Sequence, residues 1–152
     1  MSANGKLNGK AASPQANQKA KRIGQAMMKL DGFSRELGMS IIEHGPQHAR
    51  VQMTITDKMT NGHDICHGGL IFTLADSALA FACNAAGVKA VTAAAQIDFI
   101  NPAYLGDRLT AYARVYLTQG RHIYCDVTVR QQDQTIIAEC RGRQVGVSNW
   151  DM

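Results

Sequence analysis

The chain has 152 residues, 45% of them hydrophobic and 18% charged. That is one domain with a globular balance, which excludes a wholly disordered chain, a collagen-like repeat and a coiled-coil rod. The net charge of +4 is unevenly placed: Lys6, Lys10, Lys19, Lys21 and Arg22 stand in residues 1–22 without one acid, and the remainder holds 11 Lys and Arg against 12 Asp and Glu. The folded part therefore carries no basic excess of the kind that grips nucleic acid.

Residues 1–17 are mostly Gly, Asn, Ser, Ala and Lys with little to bury, so a flexible basic leader is expected there and a single domain over 18–152. They lack the apolar core of a signal peptide. From Gln18 to Leu30, Ala20, Ile23, Met27 and Leu30 recur at steps of three and four, which predicts a short helix despite Gly24. Asp31-Gly32 closes it. Residues 39–44 read as a strand, Gly45-Pro46 as a turn and residues 49–56 as the hairpin partner. A polar loop over 57–67 holds His63 and His67 and ends at Gly68-Gly69.

Gly68 to Ala86 is apolar nearly all round, has no proline and carries one charge. It predicts a long helix buried on every side, stopped by Gly87. With Asp76, Asn84, Ser77 and Thr73 inside it, it does not read as a membrane span. Alternating strands follow. Val91, Ala93, Ala95, Ile97 and Phe99 form one face of the first, with Thr92, Ala94, Gln96 and Asp98 on the other. Two more strands lie over 109–118 and 122–130, and a last one over 135–147. The last three follow through short turns and are expected to pair antiparallel. Cys66, Cys83, Cys125 and Cys140 form no CxxC pair, the pattern of free thiols in a reducing cytoplasm. A curved antiparallel sheet around one central helix, an α+β arrangement, satisfies this order. By analogy it is the hotdog fold.

The segment Asn61-Gly-His-Asp-Ile-Cys-His-Gly-Gly69 delivers the chain to a helix start made of glycines. Helix starts have unpaired N–H groups and partial positive charge, so an oxyanion could sit on the Gly68 N–H. Two glycines alone more often serve close packing. Asp76 is the one charge in the long helix. It can be a base or nucleophile, or a structural aspartate bonded to a strand or to Ser77, and the residues alone leave these even.

Geometry constrains the catalytic use. Gly68 and Asp76 are eight residues apart on one helix, or about 12 Å at a rise of 1.5 Å per residue. A single small reacting centre needs both within hydrogen-bond reach. Two chains with antiparallel helices would then have to share each site. His63, Cys66 and His67 suggest zinc only weakly, since structural zinc takes four ligands and no fourth has a convincing spacing. Cys66 reads as packing. No P-loop, Rossmann glycine motif or serine elbow is present. Tyr112, Tyr116 and Tyr124, with Arg114 and Arg130 on polar strand faces, suit a subunit interface better than a stacking platform.

The string Asn61-Gly-His, Cys66-His-Gly-Gly69, Leu74-Ala-Asp-Ser-Ala78 and Ala82-Cys-Asn84, continued by Ile97-Asp-Phe99, Pro102 and Gly106-Asp107, resembles the PaaI-type phenylacetic acid degradation thioesterases of the hotdog superfamily. The resemblance spans roughly residues 20–145. It implies hydrolysis of acyl-CoA thioesters, with phenylacetyl-CoA and ring-hydroxylated relatives as substrates. It implies that Gly68 polarises the carbonyl, that Asp76 of the facing subunit is nucleophile or base, and that Asn61 and His67 position substrate and water. It implies a dimer of dimers, and no cofactor, coenzyme A being part of the substrate. The rivals are a hotdog dehydratase on acyl thioesters and a non-catalytic acyl-CoA-binding module. No nucleic-acid or membrane partner is expected.

Overall fold

The computed structural model describes residues 11–151. The first helix, α1 (Pro14–Leu30), starts four residues earlier than its apolar stripe suggests. The signal was local: Ser13 accepts from the Ala16 N–H at 3.2 Å, and Pro14 fills the first helical turn, where its missing N–H costs nothing. Residues 14–17 of the expected leader are therefore helical, and its residues 1–10 lie outside the described residues. Ala20 and Ile23 are buried, but Leu30 is 79% exposed and does not join the stripe. Asp31 ends α1 and caps a second short helix, α2 (Gly32–Glu36), through the Ser34 N–H.

Strands β1 (Ser40–Gly45) and β2 (His48–Thr54) form the hairpin. The long helix α3 (Gly68–Asn84) follows a short 3-10 turn, and Gly87, at φ +109°, turns the chain into β3 (Val88–Phe99). Then come β4 (Arg108–Gln119), β5 (His122–Arg130) and β6 (Ile136–Asn149). All pairs are antiparallel, in the order β1-β2-β4-β5-β6-β3. β3 thus crosses to the far edge beside β6 rather than pairing with β4. The sheet wraps α3, whose Leu74, Ala75, Ala78 and Leu79 are fully buried against Val51, Leu109, Val127 and Val129. Close approach of helix to sheet is set by Gly142, where a Cβ would collide with Leu79.

Two expectations need correction. α3 is not covered all round: Gly69, Phe72, Thr73, Asp76 and Ala80 remain partly or fully exposed, because the one sheet reaches only one side of the helix. β3 is not a half-buried strand with one wet face, because residues 91–96 are exposed on both faces. It is an unpaired sheet edge, bonded only to β6 among the described residues.

α1 closes over β1 at His44. A Cβ at Gly24 would run into the His44 imidazole, which explains a glycine inside this helix. His44 Nε2 meets the Phe81 carbonyl at 2.8 Å. It therefore carries the ring hydrogen and donates, leaving Nδ1 a buried acceptor with no partner. Protonating Nδ1 would bury an unpaired N–H beside α1, and burial holds the His44 pKa below its ordinary value near 6.5. The unfolded chain then binds this proton more readily than the folded one. Stability is present above about pH 6.5 and is lost as pH falls below it. Chemical denaturation between pH 7.5 and 5 is expected to show this loss in the parent and a flatter profile in His44→Gln.

Candidate active site

The loop before α3 is braced by Asn61. Its side-chain oxygen accepts from the His63 N–H at 2.9 Å and the Ile65 N–H at 3.3 Å, holding Asp64 at φ +59°. That oxygen is committed to the loop, so Asn61 has its amide nitrogen to offer a ligand. The loop is tied further by Cys66 N–H to the Ala103 carbonyl at 2.8 Å and His67 N–H to the Met59 carbonyl at 2.9 Å. His67 is the N-cap of α3, in extended backbone, with an exposed side chain that makes no capping bond.

The first free amides of α3 are consequently those of Gly68 and Gly69, since the His67 carbonyl already takes Leu70 N–H at 3.0 Å. The two glycines differ. A Cβ at Gly68 would sit 3.0 Å from the Phe99 ring, whereas nothing lies within 4 Å of one at Gly69. Close packing accounts for Gly68 in part and for Gly69 not at all. Phe99 itself is 51% exposed.

Asp76 lies two helical turns further on, at the floor of a groove between the open side of α3 and β3. It is half-buried, not enclosed as the apolar sequence around it suggests. Its partner is a strand residue rather than Ser77: the Thr92 hydroxyl donates to Asp76 Oδ1 at 2.8 Å. Ser77 instead lies 3.2 Å from the Ser34 hydroxyl. The structure thus brings Asn61, His67 and Gly68 together at one end of the helix and places Asp76 at its middle.

Thr92 was hidden from the periodicity, which put it on the outward, polar face of β3. A register shift between Thr92 and Ala94 is the reason. Before it Ala90 and Thr92 face α3; after it Ile97 and Phe99 do, and Gln96 and Asp98 turn outward. A bulge of this kind exchanges the two faces of a strand. The only sequence hint was the run Ala93-Ala94-Ala95, which has no polar partner to alternate with.

Among the described residues no three His, Cys, Asp or Glu side chains gather as metal ligands, and no helix is long and apolar enough to cross a membrane. All four cysteines are free and buried. Burial pushes the Cys66 thiol up to about 11. Burial and then the charge of Asp76 push Cys140 to about 11 as well. On the far face of the sheet two of the three tyrosines are occupied by this chain's own arginines: Arg50 stacks on Tyr112 at 4.2 Å and Arg141 on Tyr116 at 5.2 Å, while Tyr124 lies against Tyr116.

A family model described as the thioesterase superfamily matches residues 63–138, from the loop before α3 into β6. With the helix-in-sheet architecture above, the chain has the hotdog fold and belongs to this superfamily. It is a thioester hydrolase. Within the superfamily it is of the PaaI type. Acyl-coenzyme A thioesterase PaaI of Escherichia coli (strain K12) is 43% identical over 129 residues, 84% of this chain and 91% of that protein. The solved structure of the E. coli PaaI protein from the phenylacetic acid degradation operon superposes with a TM-score of 0.87 at 38% identity, covering 89% of this chain and 98% of the other. The structure of smu.793 from Streptococcus mutans UA159 bound to acetyl CoA gives 0.72 at 26% identity, over 74% and 91% of the two chains.

A buried thiol near pKa 11 is protonated at neutral pH and a poor nucleophile. Cys66→Ala is expected to keep turnover of the purified protein within about threefold, since no catalytic group is lost. Iodoacetamide at pH 7 is expected to leave the folded enzyme active, as followed by thiol release.

Proposed function

We propose that the protein hydrolyses arylacetyl-CoA thioesters, of the phenylacetyl-CoA or hydroxyphenylacetyl-CoA type, to the free acid and coenzyme A. The observation that carries this reading is the pair of free glycine amides at the start of α3, set against a carboxylate in an open groove on the same helix. The Gly68 N–H stabilises negative charge on the thioester oxygen as the carbonyl is attacked. Asp76 supplies the attacking oxygen itself or takes the proton from attacking water. The C–S bond then breaks and the thiolate leaves as coenzyme A; where Asp76 is the nucleophile, water then hydrolyses the acyl-Asp76 anhydride to the free acid and regenerates the carboxylate. His67 and the Asn61 amide nitrogen, beside Gly68, orient the acyl group and water. The PaaI relatives support the arylacetyl preference, and no cofactor is required by this chemistry.

One copy cannot complete the site, because Gly68 and Asp76 are about 12 Å apart along α3. A second copy docked across the groove with its helix antiparallel brings its Asp76 beside the first copy's Gly68. The same docking would cover the open side of α3 and the bare edge of β3. We infer a two-fold dimer with two shared sites, and a dimer of dimers as the assembled form in the cytoplasm.

Thiol release from phenylacetyl-CoA is expected to exceed that from short and long aliphatic acyl-CoAs. Asp76→Asn is expected to lower kcat by about 10²–10⁴, the usual loss for such a group, with the oligomer intact. His67→Ala is expected to cost less. Near-normal turnover by Asp76→Asn would remove the carboxylate from the mechanism.

Sharing can be tested by complementation. Gly68→Pro deletes the amide hydrogen at the first helical position, where proline is tolerated, and His67 already has the extended backbone that precedes proline. Gly68→Pro and Asp76→Asn are each expected to be nearly inactive. Re-associated one to one, they are expected to recover about a quarter of parental activity, because half of the dimers hold one intact shared site. A mixture no more active than its components would rule out sharing.

A further inference from the structure

Gln144 is a glutamine at 1% exposure on the inner face of β6, in a row otherwise made of Ala138, Cys140, Gly142 and Gly146. A polar side chain there breaks the apolar pattern of the core and calls for a reason. Its carbonyl oxygen accepts from Asn84 Nδ2 at 3.3 Å, and its Nε2 donates to the Thr92 hydroxyl oxygen at 3.0 Å. Thr92 in turn donates to Asp76 Oδ1 at 2.8 Å.

The direction of every bond in this chain is fixed by groups that have only one role. Asn84 Oδ1 faces the Ala90 backbone N–H at 3.1 Å and the Trp150 indole N–H at 3.0 Å, both of which can only donate. Asn84 Nδ2 faces the Ala80 and Ala90 carbonyls at 2.9 and 3.2 Å, which can only accept. The Asn84 amide therefore has one orientation, with Nδ2 toward Gln144; its two hydrogens are shared among the two carbonyls and Gln144, and since Nδ2 cannot accept, no N–H can face it. Gln144 must answer with its oxygen, which turns its own N–H toward Thr92. The Thr92 oxygen is then an acceptor on that side, and its single hydrogen is left for Asp76.

We propose that Gln144 is a positioning residue for the thioesterase reaction: oriented by Asn84, it directs the Thr92 hydroxyl hydrogen onto Asp76 Oδ1 and leaves Oδ2 to face the substrate. The inference rests on the reading of Asp76 as the catalytic carboxylate. Without Gln144 the Thr92 hydroxyl can rotate away, and the carboxylate loses its fixed presentation. The substrate itself is not touched, so the effect falls on kcat and not on KM.

The test is a double-mutant cycle on the full-length enzyme with phenylacetyl-CoA. Gln144→Met conserves the unbranched shape and removes the amide; Thr92→Val removes the hydroxyl. Gln144→Met is expected to lower kcat by about three- to tenfold, and Thr92→Val by about tenfold or more, each with KM within about twofold, the scale of one or two hydrogen bonds. The double variant is expected to be no slower than Thr92→Val alone. Thr92→Ser, which keeps the hydroxyl, is expected to respond to Gln144→Met as the parent does. An equal loss on adding Gln144→Met to the parent and to Thr92→Val, or a loss confined to KM, would overturn the proposal.

NMR of the unmodified protein gives a check that needs no variant. The Gln144 side-chain amide protons are expected to exchange slowly with solvent and to show cross-relaxation to the Thr92 hydroxyl hydrogen. Rapid exchange would also overturn the proposal. Asp76→Asn, run beside the cycle, separates the two readings. If it leaves turnover intact, the catalytic reading of Asp76 has failed. If it abolishes turnover while the cycle is additive, only the role of Gln144 has.

Discussion

A rigid helix imposes the constraint on which this enzyme depends. In the proposed reaction the oxyanion donor is a free backbone amide, and α3 offers those only at its first turn. The carboxylate lies two turns away on the same rod, about 12 Å off. No side-chain rotation closes that gap. One face of the helix is wrapped by the chain's own sheet, and the other face, with the β3 edge, is open. The proposed two-fold assembly would meet the catalytic and the packing requirement with one movement, because antiparallel helices put the start of one beside the middle of the other.

The wrapped face explains why the open one can be held in register. Fully buried Leu74, Ala75, Ala78 and Leu79 fix the rotation of α3 about its axis. That rotation decides which residues look out: Gly69, Phe72, Thr73 and Asp76. Gly142, which admits Leu79, is thus a condition for the aim of Asp76 as much as for packing. The polar run from Trp150 through Asn84, Gln144 and Thr92 adds a second set of fixed points, between the helix, the edge strand and the last strand. Satisfied networks of this kind rigidify what they join. Here they join the far end of α3 to the carboxylate at its middle.

Asp76 shows how a partner changes the meaning of a charge. In the sequence it is an isolated acid in an apolar helix, and enclosure would be costly without compensation. In the fold it is half-open and already bonded to Thr92. The same holds for Cys66 and Cys140, which lie near the candidate site yet are buried thiols pushed up to about 11. Asn61 moved in the other direction. It sits within the motif, but its oxygen braces the loop that delivers Gly68.

The sequence by itself determined the element order, the central helix and its glycine start, and the antiparallel pairing of β4, β5 and β6, and it singled out Asn61, His67, Gly68 and Asp76 as candidates. These are legible because helix and strand periods, glycine stops and short motifs are local properties of the chain. Only the tertiary structure decided that β3 crosses to the sheet edge, that α3 is open on one side, and that Thr92 and Gln144 stand behind Asp76. Strand order depends on contacts between distant residues. The inward turn of Thr92 depends on an extra residue in β3 opposite β6, which no single-strand pattern contains. The pairing of Gln144 with Asn84 and Thr92 joins residues 60 and 52 positions apart in the chain, so it exists only once the sheet has closed around the helix.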